Sequence, residues 1–279
     1  MGLNQAKIEA MVEKMPAFPR SVQQVIQLTG DINCSPRKLV RVVEHDPVLT
    51  GRMLKIVNSS FFGLSRQIVS VKEALAFIGL NTLKHLALTL AAVGALPRSN
   101  KAGLDMDQFL GHALAVGAVA RWITNRGGVW SRSGDRLFVS GLLHNIGDVV
   151  LALYATKDFK RIREHAKESD RPTHEIEAEL IGTTRFEIGG LVAERWRLSQ
   201  VTIDAIRYHR VSPPEIERTV DMDGLWGGAD LVARMSGGTL SEPAPASLIE
   251  RLGGPIEDLL ANRDEIAGVI ARTEIFKKV

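Results

Sequence analysis

The clearest candidates for chemistry in this sequence are a histidine and an amide in an otherwise apolar segment. His144 and Asn145 follow residues 141–143, a glycine and two leucines, and precede Ile146. Burying a polar side chain among such residues costs free energy unless the side chain finds hydrogen-bond partners. The pair therefore either belongs to a polar site that supplies hydrogen-bond partners or lowers the stability of the fold.

Two further residues have the side-chain chemistry of a site built between helices. His112 lies on the apolar face of a segment that begins at Asp105, and Asp230 is the acid in the apolar segment 229–234. Histidine and carboxylate side chains that converge from facing helices can hold a metal ion. A histidine on an apolar face is ordinarily a hydrogen-bonded core residue, so His112 by itself does not indicate a ligand.

The elements that must position these residues are helices. Ser35 and Asp46 each precede a proline, which places a capping side chain before the first helical position. Ser70 and Thr184 each have a glutamate three residues later, the pattern of a capping box. Because no run of four to eight residues alternates as a strand does, the sequence predicts an all-α fold.

Several short motifs follow one another in a specific order. They are Asp46-Pro47-Val48-Leu49, Leu54-Lys55-Ile56-Val57-Asn58-Ser59, Phe62-Gly63, Ser70-Val71-Lys72-Glu73-Ala74-Leu75, Ile78-Gly79-Leu80, Gly141-Leu142-Leu143-His144, Ile181-Gly182-Thr183-Thr184, Glu187-Ile188-Gly189 and Ala205-Ile206-Arg207-Tyr208-His209. Together they resemble the HDOD domain, the HD-related output domain of bacterial signalling proteins, over roughly residues 15 to 209. The resemblance implies a two-lobed helical domain whose C-terminal lobe is like that of HD-superfamily proteins.

A polar segment from Pro97 to Gly103 separates the two groups of predicted helices and is the best candidate for a linker between the lobes. We therefore expect an N-terminal helical lobe at residues 1–100 and an HD-like helical lobe at residues 101–240. A C-terminal helical tail at residues 241–279 completes the predicted organisation.

The resemblance to HD enzymes implies a set of metal-ligand positions. His112, His144 and Asp230 match that set, and His209 stands where a pair of histidines is expected. Asn145 replaces the aspartate of the His-Asp pair, and its neutral amide is a weaker donor for a hard divalent ion. Arg185 and Arg210 stand where relatives often have histidines, and a guanidinium has no lone pair to give to a metal. The five positions are predicted to be vestigial: His112, His144, Asn145, His209 and Asp230.

Two interpretations of this altered pocket remain open. In the first, which we favour, Arg185 or Arg210 fills the vacated position and pairs with Asp230 in a structural polar network. In the second, bidentate donors form an anion site for a phosphate or nucleotide. The residues of that predicted site are His144, Asn145, Arg185, Arg207 and Arg210.

Three functions follow from these interpretations. The first is a regulatory or scaffold module of bacterial signal transduction that is not an enzyme, needs no cofactor and binds a protein partner or a small ligand. The second is a metal-dependent phosphohydrolase or phosphodiesterase, and the third is a nucleotide second-messenger sensor without turnover. The net charge of +3 is too small to indicate nucleic-acid binding. The uncharged run 86–97 is too short to cross a bilayer, and with the single cysteine, Cys34, this favours a cytoplasmic protein.

Other histidines and tryptophans have simpler explanations. Asp46 of the doublet His45-Asp46 is better explained as a helix cap than as part of a site. His85, His165 and His174 stand beside charged residues, which favours solvated or capping roles. The four tryptophans are expected in the core or between the lobes: Trp122, Trp130, Trp196 and Trp226.

Overall fold

The computed structural model describes residues 2–29, 35–59, 62–97, 99–126, 134–238, 240 and 242–277, and these residues form helices and no strands. The all-α prediction is therefore confirmed. The helices are α1 (Gln5–Glu13), α2 (Arg20–Thr29), α3 (Pro36–Glu44), α4 (Pro47–Val57), α5 (Val71–Ala95), α6 (Met106–Arg126), α7 (Gly134–Leu143), α8 (Ile146–Tyr154), α9 (Thr156–Glu168), α10 (Thr173–Ile181), α11 (Arg185–Arg195), α12 (Gln200–Tyr208), α13 (Val220–Met235), α14 (Ala246–Leu252), a 3₁₀ helix (Ile256–Asn262), α15 (Arg263–Ala271) and α16 (Glu274–Lys277). Cys34 and Trp130 lie outside the described residues.

Three of the predicted helix starts coincide with side-chain caps, whereas Ser35 makes no side-chain capping hydrogen bond before α3, so that part of the prediction is wrong. Asp46 Oδ1 accepts a hydrogen bond from Leu49 N at 2.9 Å and Oδ2 accepts one from Ser21 Oγ at 2.7 Å, so the capping role of the His45-Asp46 doublet is confirmed. Ser70 and Thr184 accept hydrogen bonds from the backbone N–H three residues later in the same way. Each cap satisfies a backbone donor that has no partner within its own helix.

Helix α5 is the central element of the first half of the chain. It contacts α2, α3 and α4 on one side and α7 of the second half on the other. Gly79 has φ of 76°, which divides α5 into two helical segments at a kink. A left-handed conformation of this kind is available to glycine at little cost.

The N-terminal segment packs on the second half of the chain. Leu3 N donates to Ile181 O at 2.9 Å, and Trp196 Nε1 donates to Pro16 O at 3.0 Å. Phe18 stacks on the ring of Trp196 with a centroid distance of 4.4 Å. Trp196 thus joins the two halves, as expected, and the same hydrophobic core contains residues from both. The division at residue 100 stays a prediction.

Two segments are long and apolar enough to span a membrane by composition, Val71–Ala95 and Arg136–Tyr154. Within the protein, 50% and 78% of their most apolar windows are buried. Both make contacts with other helices of the fold, and the second is interrupted between α7 and α8. Such burial is what the core helices of a soluble protein show.

Candidate functional site

Helices α6 and α7 approach so closely that their backbones nearly touch. A Cβ atom added at Gly141 would lie 2.2 Å from Gly117 Cα, and one added at Gly117 would lie 2.6 Å from Phe138 O. Only glycine fits at these two positions, and it allows the two helices to pack at a short distance. The crossing brings the rings of His112 and His144 together, with a centroid distance of 5.3 Å.

The start of α8 packs against the start of α11 in a similar way. A Cβ atom at Gly147 would lie 2.0 Å from Arg185 O, so only glycine permits this contact. Asn145 is half-buried immediately before α8, and its backbone oxygen accepts a hydrogen bond from Asp148 N at 2.9 Å. The contact places the guanidinium of Arg185 within 3.7 Å of Asp148 Oδ1.

His112, His144 and His209 form a cluster of three imidazoles from α6, the end of α7 and the end of α12. The rings of His144 and His209 lie at a centroid distance of 5.7 Å. Nδ1 of His144 is 2.6 Å from Gly141 O, and Nδ1 of His209 is 3.1 Å from Ala205 O. Since a carbonyl can only accept, Nδ1 carries the proton and Nε2 has the free lone pair in both rings.

Burial keeps these imidazoles neutral at pH 7. It lowers the pKa of His209 to about 3, and the positive charge of Arg210 acts in the same direction. The pKa of His144 is also well below its usual value, mainly through burial. His112 is exposed, yet desolvation by the surrounding protein atoms lowers its pKa as well. Within the described part of the chain, Nε2 of His209 is buried without a hydrogen-bond partner.

The two arginines beside the imidazoles are neutralised, but not by the residue predicted. Arg185 Nη1 lies 3.1 Å from Glu177 Oε1, and Arg210 pairs with Glu242. Asp230 instead pairs with Arg234, whose Nε donates to Oδ2 at 2.6 Å. The expected pairing of Arg185 or Arg210 with Asp230 is therefore wrong, because the arginine one helical turn along α13 reaches Asp230 first.

Glu177 is a fully buried acid of this network. Its side chain is 1% exposed, and Oε2 also accepts a hydrogen bond from Arg185 N at 3.0 Å. Burial raises the pKa of Glu177 to about 7, although the charge of Arg185 acts against the rise. Glu177 thus caps α11 and neutralises part of the arginine charge at the same time.

Arg207 does not join the predicted anion site. It forms ion pairs with Glu187 and Glu194 on α11, each at 3.0 Å. Its guanidinium also covers Gly190, where a Cβ atom would lie 2.6 Å from Nε. Because α12 ends at Tyr208, Arg210 lies beyond the helix, and helical spacing does not hold the two arginines on one face.

His174 was expected to be solvated or capping, and that interpretation is wrong. Its side chain is 13% exposed, and Nδ1 lies 3.2 Å from Glu242 Oε1. Phe186 lies between His174 and His209, at centroid distances of 6.0 Å and 4.9 Å. His174 and Glu177 are three residues apart on α10, a spacing that places both on one face. Glu242 lies in an irregular segment, where no periodicity could have indicated it.

A second network of hydrogen bonds and ion pairs, which the sequence did not indicate, contacts the end of α12. Arg218 Nη2 donates to His209 O at 2.9 Å, and Arg218 Nε donates to the buried carboxylate of Asp223 at 2.8 Å. Arg251 donates to the other oxygen of Asp223 at 3.0 Å. These bonds satisfy carbonyl groups that a helix end leaves free, and so fix the position of His209.

The donor set does not fit the divalent metal ion of HD enzymes. Among the described residues, no three histidine, cysteine, aspartate or glutamate side chains converge in a group that could hold a metal ion. Asn145 offers only a neutral amide oxygen, and Asp230 is engaged by Arg234. Arg185 and Arg210 add positive charge next to the imidazoles, which opposes cation binding.

The described residues form an all-helical domain in which His112, His144 and His209 lie together. A sequence model of the HDOD domain matches residues 15–212, and the chain belongs to this family. The recognition from short motifs is thereby confirmed.

Relatives and solved structures resemble most of the chain. An uncharacterized protein of Treponema pallidum is 25% identical over 245 residues, which are 88% of this chain and 47% of that protein. This chain thus spans about half the length of the curated relative it matches. A proposed phosphohydrolase of Shewanella amazonensis SB2B has a TM-score of 0.77 at 21% identity, with 99% of each chain covered. A proposed signal transduction protein of Marinobacter aquaeolei VT8 has a TM-score of 0.73 at 24% identity, covering 97% of this chain and 65% of that one.

Proposed function

We propose that the protein is a regulatory or scaffold module of bacterial signal transduction that binds a partner and performs no hydrolysis. The observation that carries the proposal is the engagement of Asp230 by Arg234 at 2.6 Å. Asp230 is the anionic ligand that remained after Asn145 replaced the aspartate of the pair. With Asp230 neutralised and two guanidinium groups near the imidazoles, a divalent ion loses its electrostatic attraction to the pocket.

The ion pairs of Arg185 and Arg210 support a structural role for the predicted vestigial metal site. Arg185 and Arg210 each have a carboxylate partner, so the pocket has little of the uncompensated charge that an active metal centre requires. Removing one member of a buried ion pair leaves the other charge uncompensated, which makes such networks costly to change. A protein partner would bind elsewhere, on the exposed surface or between the lobes, in the cytoplasm.

A metal-dependent phosphohydrolase is the second candidate, and one observation favours it. His144 and His209 both present Nε2 lone pairs while a backbone carbonyl holds Nδ1, the arrangement that orients histidines in metal sites. The structural relative from Shewanella amazonensis is described as a proposed phosphohydrolase. In this chain the neighbouring guanidinium groups and the engagement of Asp230 by Arg234 oppose that function.

Metal analysis together with a hydrolysis assay tests the proposal. The wild-type protein, purified without a metal-affinity tag, should contain iron, manganese, zinc and nickel far below one equivalent. It should not hydrolyse bis(p-nitrophenyl) phosphate above background when manganese is added. Asn145→Asp should behave in the same way, because Asp230 stays paired with Arg234. Stoichiometric metal together with turnover in the wild type would overturn the proposal and establish the second candidate.

A further inference from the structure

The carboxylate of Glu242 lies among cationic and polar groups from three different helices. It pairs with Arg210 from the end of α12 and lies 3.2 Å from Nδ1 of His174 on α10. Its charge also acts on Arg185 at the start of α11: burial lowers the pKa of Arg185, and the carboxylates of Asp148, Glu177 and Glu242 outweigh that effect. Glu242 is therefore the anion at the point where these three helices meet.

The carboxylate of Glu242 satisfies only some of the hydrogen-bonding groups in this place. Its Oε1 is buried and lies 3.2 Å from Nδ1 of His174, but no group within the described residues meets it with the geometry of a hydrogen bond. In the same part of the chain, Nε of Arg185 and Nε of Arg210 are buried donors without acceptors, and Nε2 of His209 is a buried acceptor without a donor. Buried polar groups of this kind usually have partners in folded proteins. One such oxygen on the carboxylate and three such groups on neighbouring residues indicate a place built for more hydrogen bonds than this carboxylate makes.

The two guanidinium groups need an anion between them. The charge of Arg185 acts to lower the pKa of Arg210, and burial of Arg210 has a still larger effect in that direction. Glu177 and Asp148 lie beside Arg185, which leaves Glu242 as the ion-pair partner of Arg210 among the described residues. Without Glu242, Arg210 would be a buried charge with no counter-ion, at a high cost in free energy.

Glu242 lies in a different kind of segment from the groups around it. Helices α10, α11 and α12 fix His174, Arg185 and Arg210, whereas Glu242 belongs to the irregular segment between α13 and α14. Pro243 and Pro245 follow it, and neither can donate a backbone hydrogen bond that would attach the segment to a helix. A substitution at Glu242 therefore changes a side chain of this segment and leaves the sequences of the three helices unchanged.

We propose that the pocket formed by His174, Arg185, Arg210 and His209 is a binding site for a phosphate group, which Glu242 occupies in the absence of such a ligand. A phosphate offers several acceptor oxygens to the guanidinium groups, and in its protonated form an O–H that can donate to His209 Nε2. A ligand with a terminal phosphate would displace Glu242 and so change the segment that bears it. The proposal rests on the regulatory function proposed above and names the ligand class of its altered site.

Competition between phosphate and Glu242 can be measured directly. Inorganic phosphate is titrated into the wild-type chain and into Glu242→Ala, with calorimetry at constant ionic strength and sodium acetate as a carboxylate comparison. Glu242→Ala should bind phosphate with a dissociation constant at least tenfold lower than the wild type, and more tightly than acetate. Glu257→Gln, which removes an exposed partner of Arg234, is the matched control and should bind phosphate as the wild type does.

The location of binding is tested by NMR and by a second variant. Phosphate should shift the ring signals of His174 and His209 in Glu242→Ala and leave those of the exposed His45 and His165 unchanged. Glu242→Gln keeps the size of the side chain without its charge and should bind with intermediate affinity, so the result does not depend on one substitution.

Equal phosphate affinity in the wild type, Glu242→Ala and Glu242→Gln would overturn the phosphate site, as would shifts at the exposed histidines alone. Preference for acetate over phosphate would also refute the assigned ligand class. These results would leave the proposal of a module without hydrolytic activity intact, because that proposal fails only if metal-dependent turnover is found. The two failures are therefore distinguishable.

Discussion

Glu177 should oppose the acid destabilisation of this protein, and replacing it should make that destabilisation steeper. Burial raises the pKa of Glu177 from 4.5 to about 7. Its stabilising contribution is fully present below pH 4.5 and is lost as the pH rises through 7. Between pH 7 and pH 5 the folded state therefore takes up a proton that the unfolded state does not, which adds about 2 kcal/mol of stability at pH 5.

The histidine cluster acts in the opposite direction over the same range. His209 has a pKa of about 3 in the folded state against 6.5 otherwise, so its contribution is present above pH 6.5 and is lost as the pH falls. From pH 7 to pH 5 this removes about 2 kcal/mol, and the buried His144 adds to the loss. Because Glu177 offsets the effect of His209, the wild-type protein should lose only the remainder.

Urea denaturation followed by far-UV circular dichroism at pH 7, 6 and 5 measures the difference. The free energy of unfolding of Glu177→Gln should fall between pH 7 and pH 5 by about 2 kcal/mol more than that of the wild type. Glu179→Gln is the matched control, since Glu179 is exposed on the same helix and pairs with Arg171. If Glu177→Gln and the wild type showed parallel pH profiles, the assigned proton uptake by Glu177 would be refuted.

Two substitutions test the contacts that position the site. Gly147→Ala places a Cβ atom 2.0 Å from Arg185 O and should destabilise the protein by at least about 3 kcal/mol in a thermal unfolding experiment. Gly51→Ala, whose Cβ atom would have no neighbour within 4 Å, should stabilise α4 by about 0.5–1 kcal/mol in the same experiment. Equal melting temperatures for these two variants would contradict the close approach of α8 and α11. Asp46→Ala removes the cap of α4 and should cost about 1–2 kcal/mol by urea denaturation; a loss below about 0.3 kcal/mol would argue against the capping role.

Helix starts and the family could be derived from the sequence because both depend on local patterns. Asp46, Ser70 and Thr184 cap helices where predicted, since a capping hydrogen bond joins residues three apart. The order of the motifs indicated the HDOD family over nearly the same residues that the family model matches. Local interactions are encoded within a few residues, and so they can be recognised without the fold.

Ion-pair partners could not be derived in the same way. Arg210 pairs with Glu242, 32 positions away, and no spacing rule connects the two. Arg207 is three residues from Arg210, yet it contacts Glu187 and Glu194 on α11. His174 appeared solvated beside Glu175, and only the packing of α10 against α11 brings it near Glu242.

The sequence by itself determined that this chain is helical and that its motifs are those of an HDOD domain, and it predicted a ligand set that departs from that of HD enzymes. These properties depend on residue types and short spacings, which the chain carries wherever it folds. The tertiary structure decided which carboxylate neutralises each arginine and that Glu242 reaches the pocket. Such pairings depend on how helices distant in sequence are packed, because electrostatic contacts act between neighbours in space.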